Sequence, residues 1–256
     1  MPGDISDHLT SERKCVDYFR AIKFGLLAQD HNSTRLTVVS ITPLSTRCRR
    51  AVGESSCVYD HNVQDITAFV LAGGKSTRMG RDKGFVEFQG LTLLDHSLEL
   101  ARGVATEVLI VGDREKFSTF ASVVEDVFPD CGPLGGIHAA LKTSRSALNL
   151  VIAVDLPFVE IRFLEYLLEQ ARATTALVTV PRVAGGWQPL CAVYRREFAT
   201  WAEHALQRGR NKIDPLFSEV ETRVLAEDEL TQSGFSSKMF QNLNTPEDLE
   251  RARTDR

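Results

Sequence analysis

Residues 66–84 read ITAFVLAGGKSTRMGRDKG. An apolar run with no polar alternation ends in two adjacent glycines, Gly73 and Gly74. Lys75, Arg78, Arg81 and Lys83 follow within nine positions. A run that is apolar on both faces belongs to a strand covered by helices on both sides. Paired glycines let backbone N–H groups turn inward, and the cations neutralise charge, so the loop reads as a cradle for an anion. It is not a P-loop, because G-x-x-x-x-G-K-[ST] would place its first glycine at Phe69. The dinucleotide spacing G-x-G-x-x-G fails too, since the next glycine after Gly74 is Gly80. The plain alternative is a surface turn with solvated charges.

Outward from this loop the pattern repeats. ITAFVLA, EVLIVG, ASVVED, LNLVIAVD, ALVTVP and LCAVY read as strands. TLLDHSLELARGV, GPLGGIHAALKTS, EIRFLEYLLEQAR and REFATWAEHALQRG read as amphipathic helices between them. This alternation predicts an α/β fold: three α/β/α layers around a mostly parallel, Rossmann-like sheet, with ligands at the C-terminal ends of the strands. Phe163, Tyr166, Trp201 and Phe217 are expected to pack helices onto that sheet. Residues 1–64 stand apart. They hold one candidate helix, CVDYFRAIKFGLLA, one candidate strand, RLTVVSITPL, and a linker-like stretch. They are read as an extension before a domain spanning 65–256. A docking or regulatory element, an unstructured arm and sequence upstream of the true start all remain open for it.

Composition narrows the function. The chain has 256 residues, 43% hydrophobic and 25% charged, enough for a sizeable core without staples. A net charge of −4 argues against a nucleic-acid binder relying on bulk charge. No apolar run nears the roughly 20 residues that span a bilayer, so no membrane association is expected. Five widely spaced cysteines without a C-x-x-C pair read as reduced thiols, and the N-terminus lacks a secretory h-region. The expected location is cytoplasmic. None of the six histidines sits in a ligand pair.

LAGGKSTRMGRDKG resembles the signature loop of the molybdenum cofactor guanylyltransferases, the MobA-like nucleotidyltransferases. VVEDVFPDCGPLGGI, AVDLPFV, WQPLCAVY and FQNLNTPEDL resemble further segments of that family, in the same order, across roughly residues 66–252. The resemblance implies transfer of GMP from GTP to the phosphate of molybdopterin, with release of pyrophosphate, and docking to molybdopterin-inserting proteins and apo-molybdoenzymes. The chemistry fits the composition of the motifs. A phosphate monoester is already ionised near neutral pH, so alignment and charge neutralisation suffice, and no Ser/His/Asp or Cys/His set is needed.

By resemblance, Leu71, Ala72, Gly73 and Gly74 lie along GTP and Lys83 contacts its phosphates. Arg78 is added on charge grounds. Asp126 matches the carboxylate that pairs with guanine, and its alternative is a turn or cap. Asp155 ends the most apolar strand, where an isolated carboxylate is costly unless it meets a cation or hydrogen bonds. The match makes it the Mg²⁺ ligand. Gly136 would allow close approach to the ligand, or be a flexible helix start. Asn242 and Asn244 would line the molybdopterin side, though Asn244-Thr245-Pro246-Glu247 is also a good helix start. Lys212 falls where relatives carry an Arg facing the pterin phosphate, and Gly112-Asp113 receive no contact. Three rivals remain. A cytidylyltransferase typically reads L-A-A-G at the loop, and a sugar-1-phosphate nucleotidyltransferase usually needs a longer sugar-binding region. A degenerate binding protein would have no use for Lys83 and Asp155.

Overall fold

A computed structural model describes residues 66–73, 82–243 and 245–254. The extension 1–64, Gly74, Arg78 and Asn244 lie outside the described residues. The chain forms β1 (Ile66–Leu71), a short hairpin of β2 (Glu87–Phe88) and β3 (Leu91–Thr92), then α1 (Leu93–Val104), β4 (Glu107–Val111), α2 (Arg114–Phe117), β5 (Ser122–Val124), α3 (Pro133–Thr143) and β6 (Leu148–Ala153). The second half holds α4 (Ile161–Arg172), β7 (Val178–Val183), β8 (Gly186–Trp187), β9 (Cys191–Arg195), α5 (Phe198–Gln207), β10 (Thr222–Ala226), α6 (Glu227–Gln232) and α7 (Pro246–Thr254).

The main sheet runs β10-β7-β9-β6-β1-β4-β5, with β8 paired to β7. β1 sits at its centre, fully buried and parallel to both β4 and β6. Helices α1 and α4 bury Leu94, Leu98, Phe163 and Leu167 on one face. Helices α3 and α5 bury Leu134, Ile137, Phe198 and Ala202 on the other. The three-layer, mostly parallel architecture is therefore the one the alternation predicts.

Two features depart from that reading. β9 is antiparallel to both β6 and β7. Only residues 184–190 separate β7 from β9, too few for the dozen or more that a parallel crossover needs, so the chain turns back as a hairpin. β10 is an additional strand, parallel to β7, whose short TRVLA run with two half-buried polar residues carried little hydrophobic signal. Of the aromatics expected to pack helices, Phe163 and Phe217 are buried, whereas Trp201 faces solvent.

The α3–α5 interface contains a buried imidazole. His138 is 2% exposed, neither ring nitrogen has a hydrogen-bond partner among the described residues, and Nε2 lies 3.9 Å from a Glu203 oxygen. Desolvation holds its pKa below 6.5, and His96 on α1 is lowered for the same reason. Below the unfolded value near 6.5 the unfolded chain takes up protons that these histidines refuse when folded. Stability is therefore complete above that value and declines as pH falls through it. The midpoint of thermal unfolding should drop from pH 7.5 to about pH 5.5. His138→Leu should flatten part of that slope.

Candidate active site

The C-terminal ends of β1, β4, β5, β6, β7 and β10 share one edge of the sheet, because these strands are parallel. The antiparallel β9 presents its entry there, and Leu190 accepts from the Ala153 N–H at 2.9 Å. Beyond Leu71 the backbone stays pinned. The amides of Ala72 and Gly73 both donate to the Val111 carbonyl, at 3.0 and 3.2 Å, and the Val154 amide donates to the Leu71 carbonyl. Gly73 thus lies against the end of β4, where its missing Cβ would stand 3.6 Å from the Gly112 Cα. Gly112 has its own packing reason, since a Cβ there would meet the Phe117 ring at 3.1 Å. Asp113 caps α2 by accepting from the Glu115 and Lys116 amides. Both residues therefore have local structural roles.

Lys83 returns to this edge on a single 3₁₀ turn, Lys83–Phe85. Asp82 caps that turn through the Gly84 amide and also pairs with Lys116 at 3.1 Å. Its carboxylate raises the Lys116 pKa. The Lys83 ammonium stands 3.2 Å from Asp155 Oδ2, and both side chains are mostly buried. The structure therefore joins two sequence candidates 72 positions apart into one ion pair. Leu243 adds a third element, its amide donating to the Asp155 carbonyl at 3.0 Å, and exposed Asn242 precedes it in the chain. Thr245 and Asp248 form a reciprocal capping box at the start of α7, so the helix-start reading of that segment holds.

Asp126 follows β5 at the same edge. The residue is exposed overall, yet its carboxyl backs onto the first turn of α3. A Cβ on Gly136 would stand 3.5 Å from Oδ1 and one on Gly135 3.7 Å from Oδ2. Lost hydration there raises the Asp126 pKa above the ordinary carboxylate value. No hydrogen bond or ion pair engages this carboxylate among the described residues. Gly136 is closely surrounded: a Cβ would also lie 3.3 Å from Val111 and 3.6 Å from Leu71. Gly135 is tighter still, 3.0 Å from the Phe128 carbonyl, and sequence reading missed it. The doubled glycine after G-P-L was the available signal. Gly135→Ala should cost roughly 1–3 kcal/mol of stability, read by denaturant unfolding, because backbone cannot step aside as a side chain can.

No group of three or more His, Cys, Asp or Glu is arranged to hold a metal among the described residues. The residues present fit a cation bound mainly by ligand phosphates, for which one or two protein carboxylates suffice. Asp155 is suitably placed, since its present partner is itself a cation. Cys191 is a core thiol, pushed up to about 12 by burial, and has no part in the site.

Residues 68–221 match the MobA-like NTP transferase domain. The chain belongs to this family. A probable molybdenum cofactor guanylyltransferase of Carboxydothermus hydrogenoformans is 30% identical, over 74% of this chain and 95% of the relative. A molybdenum cofactor guanylyltransferase of Pseudomonas aeruginosa is 34% identical, over 73% and 94%. Among solved structures, molybdopterin-guanine dinucleotide biosynthesis protein A of Archaeoglobus fulgidus is 27% identical with a TM-score of 0.64, covering 73% of this chain and 97% of that one. Membership in the MobA-like family agrees with the architecture. No helix among the described residues is long and apolar enough to cross a membrane.

Proposed function

We propose that this chain transfers GMP from GTP to the phosphate of molybdopterin, forming molybdopterin guanine dinucleotide and releasing pyrophosphate. The observation that carries this reading is the convergence of the β1 end, the Lys83–Asp155 pair and the Asp126 carboxylate on one edge, within a family whose named relatives are guanylyltransferases.

In this reading a carboxylate at Asp126 accepts from the N1–H and N2–H₂ donors of guanine, a donor pair adenine lacks. Its raised pKa and its lack of a partner among the described residues describe an acceptor waiting for donors. Val127, 65% exposed, offers apolar surface beside it. The triphosphate then lies across the ends of β4 and β1, against Leu71, Ala72, Gly73 and Gly74, and reaches Lys83, with Arg78 as a further cation. Asp155 would hold Mg²⁺, which when bound supplies charge neutralisation at the phosphate oxygens. An oxygen of the acceptor monoester attacks the α-phosphorus. One P–O bond forms, the bond to the β-phosphate breaks, and pyrophosphate leaves without a proton transfer. Lys83 meets the charge that gathers on the leaving group. Asn242, next to the Leu243 amide that bonds the Asp155 carbonyl, is assigned with Asn244 to the acceptor side.

The test is pyrophosphate release by the purified full chain with Mg²⁺, molybdopterin and GTP, CTP or ATP. Release with GTP that requires molybdopterin supports the reading. Preference for CTP would replace it with the cytidylyl reaction, and release driven by a sugar 1-phosphate would replace the acceptor. Cytoplasmic location and delivery to apo-molybdoenzymes belong to the same proposal.

A further inference from the structure

The β7–β8 hairpin is strained at its tip and unusually well held. Ala184 and Gly185 both adopt positive φ, 50° and 74°, a turn in which a non-glycine first residue is disfavoured. The Ala184 amide is secured at 2.8 Å by a Glu227 carboxylate oxygen from α6. Directly behind the tip, Arg182 and Trp187 form a cross-strand pair, with the guanidinium 5.0 Å from the centre of the indole. The indole in turn packs edge-on against Phe217, at 5.0 Å. A hairpin pinned at its tip and at its base fixes the plane of one exposed arginine.

That arginine lies where a second substrate would extend. Arg182 is near the C-terminal end of β7, on the edge that carries Asp155. β7 lies two strand spacings from β6, about 10 Å. Strand alternation sends Arg182 to the same face as Val178 and Val180, the face on which Trp187 and Phe128 pack. Asp126, two residues past the end of β5, occupies the other end of this edge. Arg182 forms no ion pair among the described residues, and its contact to the Gly185 carbonyl is long, 3.5 Å. Gln188, next to Trp187, has no hydrogen bond to its side-chain amide among the described residues. It stands two residues before Leu190, which is bonded to the end of β6.

The geometry points to this Arg182–Trp187 stack, with the Gln188 amide beside it, as the platform that receives the flat heterocyclic ring system of the acceptor whose phosphate stands at Asp155. This rests on the guanylyl-transfer reading for the identity of the acceptor. A guanidinium backed by an indole presents a flat cationic face on which the π-face of a heterocycle stacks, and the amide supplies a donor and an acceptor to the ring edge.

The chain has two tryptophans, so Trp201→Phe leaves Trp187 as the only indole. In that background, molybdopterin added without GTP should quench Trp187 emission, and Arg182→Ala should weaken the titration. In steady-state assays Arg182→Ala should raise the KM for molybdopterin about tenfold while the equilibrium affinity for GTP stays unchanged. Arg182→Lys, which keeps charge and loses the plane, should fall between. An acceptor KM and a Trp187 titration both indifferent to Arg182→Ala overturn the inference. Quenching by molybdopterin in a protein that releases no pyrophosphate would uphold the platform and sink the transfer reaction, so the two failures are distinguishable.

Discussion

Lys83→Ala and Asp155→Asn should each lower kcat/KM for pyrophosphate release about 10²–10³-fold, the loss typical when one preorganised charge is removed from a transition state. The double variant should be little worse than either single one, because the two side chains act as a unit at 3.2 Å. Their separate signatures differ. Lys83→Ala leaves the carboxylate in place, so the Mg²⁺ dependence should persist at reduced rate. Asp155→Asn removes the only charge assigned to the cation, so raising Mg²⁺ should recover little. Both variants should melt below wild type, since each leaves a mostly buried charge without this partner, yet both should fold, because the apolar layers are untouched. Steady-state kinetics across a Mg²⁺ series, with thermal melts of the same preparations, reads all of this. Multiplicative losses in the double variant would show that the pair does not work as one unit.

Asp126→Asn should separate affinity from stability. Asparagine keeps the shape but replaces one acceptor with a donor, which then faces a guanine donor. GTP affinity should fall about 10- to 100-fold and the preference over ATP should largely vanish. Stability should move the other way. The folded Asp126 has a raised pKa, so its favourable contribution is present below the ordinary carboxylate value and lost as pH rises through the raised one. At neutral pH the ionised group is a net cost to the ligand-free fold. Asp126→Asn should therefore melt no lower than wild type at pH 7, and the two should converge as pH falls toward the carboxylate range. Equilibrium titration with GTP and ATP, beside melts at several pH values, provides the measurement. A variant that loses stability at neutral pH and keeps GTP preference would assign Asp126 to the fold alone.

Much of this site was legible because its chemistry is local in sequence. The β1 run, the paired glycines, the D-K-G turn and the carboxylate ending β6 each declare themselves within a few residues. What the sequence withheld was long-range. The meeting of Lys83 with Asp155 depends on the crossover that returns the loop to β6, and the bond from Leu243 to Asp155 on how the last helix docks. The direction of β9 followed from a loop too short to cross over, which was readable but weighed less than the strand–helix alternation. The packing around Gly135 and Gly136 was also long-range, since the atoms near their absent Cβ groups come from β1, β4 and the Asp126 loop. The Arg182–Trp187 pair needed register, because only the hairpin pairing sets those residues opposite each other.

The central claim is attack by the acceptor's phosphate on the α-phosphorus of GTP at the Lys83–Asp155 edge, and isotopic labelling tests it most directly. With GTP labelled at the α-phosphate, the label should appear in a pterin product that also contains guanosine, and none should remain with the released pyrophosphate. Lys83→Ala should suppress that transfer. Label found only in free GMP, or a pterin product carrying the γ-phosphate, would contradict the account.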